Sequence, residues 1–234
     1  MHPFDRLHGT ETSGLLPGEI ISEGTTAMPS ELTAYYGIAP SILRSLLDTW
    51  LQRTSPAAPI EQTVLFDVGA GKGRAMLLAS QYPFLRVEGI EFNEELAAIA
   101  QSNIARWEND SQSEALASIS LHHGDALLHP LPPEPTVVFM FHPFERALTS
   151  RFLRHIDECR AGTQIPLDLI YANAEYHVLL ERHPRFQHLW SGSVPMSTDD
   201  HVADLAEIAQ QTDYGSTGDE FCTIYRYTGY SELV

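Results

Sequence analysis

The run Val64-Leu-Phe-Asp-Val-Gly-Ala-Gly-Lys-Gly-Arg74 constrains this chain more than any other segment. Val64 to Val68, apolar except for Asp67, reads as a buried strand. Gly69, Gly71 and Gly73 follow at every second position before the helix-forming Ala75-Met-Leu-Leu-Ala79. Glycine belongs where backbone adopts positive φ or where a ligand approaches it closely, and a helix N-terminus just beyond offers unpaired N–H groups and a positive dipole end. Strand, glycine turn and helix in that order predict a nucleotide cradle. A tight turn with no ligand uses the same residue types, so the downstream sequence has to separate the two.

Beyond Pro83, the stretch Leu85 to Ile90 reads as a second strand that ends on Glu91, with Phe92 beside it. An acid at that tip, about 20 residues past the glycines, is where a doubly wound fold places the carboxylate that accepts from the ribose hydroxyls. Asn93 then caps a helix carrying Leu96, Ala97, Ile99, Ala100, Ile104 and Trp107 at helical spacing. The dinucleotide fingerprint G-x-G-x-x-G would need glycine where the chain has Arg74. A nicotinamide-dependent oxidoreductase is therefore the weaker reading of this unit.

The spacing Asp67-Val-Gly-Ala-Gly-Lys-Gly73 resembles motif I of the class I S-adenosylmethionine (SAM) methyltransferases, D-x-G-x-G-x-G. Ile119 to Ala126 is similar to the segment after that family's third strand, where Asp125 would accept from the adenine amine and the Ala126 backbone would read the ring edge. Thr136-Val-Val-Phe-Met-Phe141 reads as a fourth strand buried on both faces. It stops at His142-Pro143-Phe144, where the family places catalytic or substrate-positioning residues; histidine replaces the family's asparagine or aspartate. The combination of G-x-G-K-G-R, G-I-E and H-P-F resembles a group of bacterial methyltransferases distantly similar to the non-SET histone-lysine methyltransferases. The resemblance covers roughly residues 60 to 230 by its ordered pattern of elements. It implies an α/β, Rossmann-like fold with a seven-stranded, mostly parallel sheet, and SAM as cofactor. It also implies that Asp67, Gly69, Ala70, Gly71, Gly73, Glu91, Phe92, Gly124, Asp125 and Ala126 bind that cofactor.

The remaining candidates keep two readings each. Asp67 orients the amino group of a methionyl moiety or stabilises the turn by accepting backbone N–H bonds. His142 takes or holds the proton of an acceptor, or caps the strand end. Tyr35 and Tyr36, with Pro143 and Phe144, line the acceptor side of the site, or the tyrosines are ordinary core and edge aromatics. His122, His123 and His129 with Asp125 have no spacing that fixes a metal geometry, so no metal is expected. Lys72 and Arg74 flank the turn and face solvent or an acidic neighbour.

Residues 1–30 hold Gly, Thr, Ser and Pro without periodicity, and are either disordered or folded over the site. Pro40 to Leu51 is an amphipathic helix, which places a loop and helical cap over residues 1–59 and the SAM-binding domain over 60–234. Residues 176–183 read as a helix, Phe186 to Trp190 as a sixth strand, an acidic insert from Ser191 to Glu220 as holding a short helix at Val202 to Gln210, and Phe221 to Tyr227 as the last strand. With 14 basic and 31 acidic residues the net charge is −17, a field that repels phosphate backbones and disfavours nucleic-acid acceptors relative to small molecules or proteins. Two distant cysteines, no leader pattern and no apolar run of ~20 residues lead to the expectation of a cytoplasmic protein without disulfides or membrane spans. A non-catalytic SAM- or nucleotide-binding module is the third function class compatible with these motifs.

Overall fold

The computed structural model describes residues 1–22, 32–209 and 215–229. The N-terminal part forms α1 (Pro3–His8), β1 (Leu15–Leu16), α2 (Gly18–Ser22), β2 (Tyr35–Tyr36) and α3 (Pro40–Arg53). There follow β3 (Val64–Val68), α4 (Arg74–Ala79), β4 (Arg86–Glu91), α5 (Glu94–Glu108), β5 (Ile119–His123), β6 (Thr136–Phe141), α6 (Arg146–Cys159) and β7 (Leu167–Ala172). The chain then continues through α7 (His177–Glu181), β8 (Phe186–Pro195), α8 (Thr198–Ile208) and β9 (Asp219–Tyr227).

Seven strands form one sheet in the order β5-β4-β3-β6-β7-β9-β8; β9 runs antiparallel to both neighbours and the first five strands are mutually parallel. From β3 the chain steps outward through β4 and β5, then returns to the other side of β3 as β6. That reversal opens a crevice at the carboxyl ends of β3 and β6. Side-chain alternation divides the central strands between two cores. Leu65, Val137 and Phe139 pack with Leu43, Leu46 and Trp50 of α3 and with Met76 and Leu77 of α4. Phe66, Val138 and Met140 pack with Phe152, Leu153 and Ile156 of α6. Strands sandwiched this way need apolar residues on both faces, which is why β3, β6 and β7 read as continuous hydrophobic runs. Each large side chain so buried contributes about 1.5–3 kcal/mol.

Local signals account for the helix ends. The Asn93 side chain accepts from the Leu96 N–H at 3.0 Å to start α5, and Ser197 accepts from the Asp200 N–H to start α8. Pro40 opens α3, whose Trp50 indole donates to Asp168 of β7 at 2.8 Å; the Arg226 guanidinium of β9 closes on the same carboxylate. Helix α3 thus belongs to the layer covering the sheet, and the part of the N-terminal region lying over the strand ends is formed by residues 1–22 and 32–39.

Two expectations need correction. The sixth strand does not stop at Trp190: β8 continues through Ser191-Gly-Ser-Val-Pro195, paired with Thr223 back to Asp219 of β9. Its polar residues and terminal proline are tolerated because β8 is the sheet edge, so pairing overrides weak intrinsic preference. The helix of the acidic insert begins at Thr198, four residues before the expected start, on its Ser197 cap; its expected end, Gln210, lies outside the described residues. In the first 22 residues, short helices appear where no periodicity was visible. They are fixed by local devices: His2 accepts from the Phe4 N–H, Pro3 opens α1, and Gly9 closes it in the left-handed conformation.

Candidate cofactor-binding site

At the crevice lies a cavity of about 240 Å³, walled by the glycine turn, the ends of β4, β5 and β6, and a strap formed by residues 32–38. Strand β3 ends at Val68, and Gly69 and Ala70 both donate backbone N–H to the Ile90 carbonyl at 3.0 Å, which draws the turn against the tip of β4. Gly69 and Gly71 have φ of +74° and +56°. A Cβ on Gly69 would stand 2.7 Å from Pro143 Cβ, and one on Gly71 would overlap the Tyr35 ring edge. The turn therefore needs glycine twice over, for its backbone conformation and for close approach. The neighbour approaching Gly71 is the Tyr35 ring of the strap. Gly73 does not line the cavity; it precedes α4 and packs against Ala100 of α5.

Asp67 and Glu91 meet at the floor of the cavity. Glu91 is buried, and its Oε2 accepts from the Gly71 N–H at 2.7 Å while Oε1 accepts from the Asn93 N–H at 2.8 Å. Burial pushes its pKa up, against the downward pull of these N–H bonds. The Phe92 N–H also bears on this carboxylate, whose roughly four lone-pair sites are not all used and leave capacity for a ligand hydroxyl. Asp67 is only 3% exposed, yet its Oδ2 has no hydrogen-bond partner, and burial together with the Glu91 charge pushes its pKa up to about 8. Ala70, Phe92, Gly124, Asp125 and Ala126 also line the cavity, and Asp125 Oδ1 is held by the Leu127 N–H at 2.8 Å. An unpartnered buried carboxyl, a second carboxylate with vacant lone pairs and an apolar wall of Ala126, Phe139 and Phe144 fit a ligand that is cationic at one end and carries a ribose and a flat ring.

The strap crosses the strand ends and is tied down at each end. Leu32 bridges antiparallel to Phe144, the Thr33 hydroxyl donates to the His142 carbonyl, and the Tyr35 hydroxyl donates to the Thr12 carbonyl at 2.7 Å. Tyr35, Tyr36, Pro143 and Phe144 all line the cavity. His142 does not. Its backbone is left-handed, at φ +42°, and its ring turns toward Tyr171, whose hydroxyl lies 3.0 Å from Nδ1, and Tyr176. Burial lowers its pKa, against the pull of Glu175 and Glu145.

Lys72 and Arg74 both meet an acidic neighbour, Glu11 at 3.7 Å and Asp5 at 4.0 Å, and through further hydrogen bonds they also fasten the N-terminal segment. Arg74 is 2% exposed; its Nε donates to Thr12 Oγ1 at 2.7 Å and its Nη1 to the Gly37 carbonyl at 2.9 Å. Lys72 donates to the Ser13 carbonyl at 2.8 Å. Asp5 organises the same knot: it accepts from the Thr10, Thr12 and Ser13 hydroxyls and the Thr12 N–H, and although burial opposes it, these bonds hold its pKa below the ordinary aspartate range. Asn103 of α5 receives the Glu11 N–H and donates to the Lys72 carbonyl. The signal for this latch was an arginine placed where a turn meets an apolar helix, yet its partners lie some 36 to 62 residues upstream.

Among the described residues no group of three His, Cys, Asp or Glu side chains is placed to hold a metal ion, and no helix is long and apolar enough to cross a membrane.

No protein-family model and no curated protein sequence matches this chain. Solved structures do. The cyclase SpnF is 17% identical, with 80% of this chain covering 81% of that one at a TM-score of 0.52. A candidate RNA methyltransferase of Pyrococcus horikoshii is 17% identical, 82% covering 83%, at 0.50. TrmN of Thermus thermophilus is 14% identical at 0.50; there 81% of this chain spans about half (49%) of the longer TrmN chain. At these identities the likeness is one of fold: a Rossmann-like α/β fold with a seven-stranded, mostly parallel sheet. One of these neighbours is named as a cyclase and another for RNA methylation, so the reaction has to be argued from the site.

Proposed function

We propose that this chain is a SAM-dependent methyltransferase whose acceptor is a small molecule or a protein. The observation carrying the reading is the pairing of Asp67 and Glu91 at the glycine turn beneath the Tyr35 strap. Asp67 would face the cationic methionyl part, Glu91 the ribose hydroxyls, and Asp125 with the Ala126 backbone the adenine edge. Gly69, Ala70 and Gly71 would supply the close backbone surface, with Phe92 and Gly124 completing the wall. When bound, SAM supplies an already activated methyl group that a nucleophile displaces in line. The protein's task is then to position the acceptor and exclude water, and the strap with Tyr36, Pro143 and Phe144 is built to do both. The net charge of −17 argues against a nucleic-acid acceptor, and two unpaired cysteines accord with a cytoplasmic location.

Calorimetry with SAM, S-adenosylhomocysteine and NAD(P) tests the reading. The methionyl ligands bind and the dinucleotides do not; Glu91→Ala weakens SAM by about 1.5–3 kcal/mol through loss of charged hydrogen bonds. Equal affinity for NAD(P) would restore the oxidoreductase alternative. The absence of His142 from the cavity lining favours one second reading, a binding module without methyl transfer. Transfer of labelled methyl from SAM into a lysate or metabolite pool separates it from the first.

A further inference from the structure

Asp5 and Asp168 show how this chain stabilises a buried carboxylate. Asp5, 1% exposed, is surrounded by three hydroxyl donors and a backbone N–H; Asp168, 4% exposed, is closed by the Arg226 guanidinium and the Trp50 indole. Asp67 is as deeply buried and has none of this. Its strand neighbours are Gly89 on β4 and Phe139 on β6, which offer no side-chain donor. Arg74 of α4 donates to Thr12 and Gly37 and turns its Nη2 to within 4.0 Å of Asp5, the Tyr35 hydroxyl donates to the Thr12 carbonyl, and Asp125 accepts from the Leu127 N–H; the Tyr36 hydroxyl stands beside Asp204, and Arg151 of α6 is exposed. The charged group acting on Asp67 is the second carboxylate, Glu91. A lone carboxylate buried next to another acid is strongly disfavoured unless it is neutralised.

We propose that Asp67 carries a proton in the ligand-free protein and surrenders it when the cationic end of the cofactor enters the cavity, so that cofactor binding is coupled to proton release. In that step the Asp67 O–H bond breaks, its electron pair stays on the carboxylate, and the proton passes to water or buffer while the ligand's positive charge takes its place. The pKa of about 8, raised by burial first and by Glu91 second, leaves the group mostly protonated at pH 7. An opposite charge within reach brings a carboxyl down by about 1–3 pH units, which places the bound value below neutrality. Asp67 is on this view a specificity-determining residue: a ligand with no positive charge at that point has nothing to offer in exchange for the proton. The inference rests on the methyltransferase reading.

The test is titration of the full chain with SAM and with S-adenosylhomocysteine at pH 7 in two buffers of different ionisation enthalpy. The expected result is release of about 0.5–1 proton per site, and affinity that tightens by several-fold, up to about tenfold, from pH 6 to pH 7. In Asp67→Asn the buffer dependence disappears and the pH profile flattens. Binding to the wild-type protein with no buffer dependence, or an unchanged proton count in Asp67→Asn, overturns the inference and leaves the methyltransferase reading intact. Failure of both ligands to bind overturns the two together. Infrared spectroscopy of protein labelled with carbon-13 at aspartate needs no variant. It should show a protonated carboxyl that vanishes on adding S-adenosylhomocysteine, and a spectrum without that band at pH 7 refutes the proposal.

Discussion

Replacing Asp67 by Asn isolates what an unpartnered carboxyl does to the stability of the folded chain. In the folded protein its pKa is pushed up to about 8 by burial and by Glu91, whereas an unfolded chain holds aspartate at about 3.9. The folded state therefore keeps a proton that the unfolded state loses once the pH passes about 4. The stabilisation this gives is fully present below that point, shrinks as pH rises and is gone at about 8. Three pH units, from 4 to 7, at 1.36 kcal/mol each set a ceiling of roughly 4 kcal/mol, and an effective interior dielectric near 20 reduces the figure to about 2–4 kcal/mol. Asparagine has nearly the same shape and does not ionise. Asp67→Asn is therefore expected to match the wild-type protein near pH 4 and to exceed its stability by about 2–4 kcal/mol at pH 7, a rise in midpoint of roughly 4–16 °C for a chain of this size. Urea unfolding of both proteins from pH 4.5 to 8 measures the difference directly. A gap that does not widen with pH, or a variant less stable at pH 7, would refute the argument.

Arg74→Met removes the buried donor that ties the turn to Thr12 and Gly37 and is expected to lower stability by about 2–5 kcal/mol; hydrogen exchange should speed up in residues 5–16, and unchanged exchange there would mean that the latch is idle. Gly71→Ala forces a Cβ into the Tyr35 ring at a left-handed backbone position, so it should weaken cofactor binding, and adding Tyr35→Ala should recover part of the loss; a single variant that binds normally would show that the strap yields freely. His142→Ala is expected to change SAM affinity less than threefold and turnover less than tenfold, because the ring lies outside the cavity lining; a hundredfold fall in turnover would restore it as general base.

The glycine-turn side of the candidate site was legible in sequence because its determinants are local. Strand, glycines, acid and cap sit within about thirty residues, and each reflects a backbone demand that few residue types meet. Phe139 and Phe141 were placed in a strand correctly, but nothing in the apolar run separates the residues that end at the cavity from those in the core. The place of the His142 ring outside the cavity lining has a conformational reason: a left-handed residue at a strand end sends its side chain away from where an extended one would point, and the enrichment of histidine at positive φ is too weak to single out one position. The Asp5–Thr12–Arg74 knot was hidden because short polar residues at irregular spacing signal only a turn, and their meaning depends on a guanidinium about sixty residues downstream. The β8 extension was missed because an edge strand tolerates the residues that would exclude an inner one.

The knot also dictates an order of events during folding. Gly14 donates to Glu207 of α8 across 193 residues, Ser41 to Asp200 across 159, and His8 meets Asp110 across 102. The segment ahead of the central strands thus has docking surfaces that are made after them. Closing such long loops is entropically costly and slow, so the strap should settle only after the central parallel strands have formed. Until α8 is complete, the N-terminal segment lacks its Gly14–Glu207 and Ser41–Asp200 contacts and is held by the ties of the strap to Phe144, His142 and Thr12. A nascent chain stalled before Glu207 would carry the glycine motif under a strap whose upstream segment is still undocked from α8.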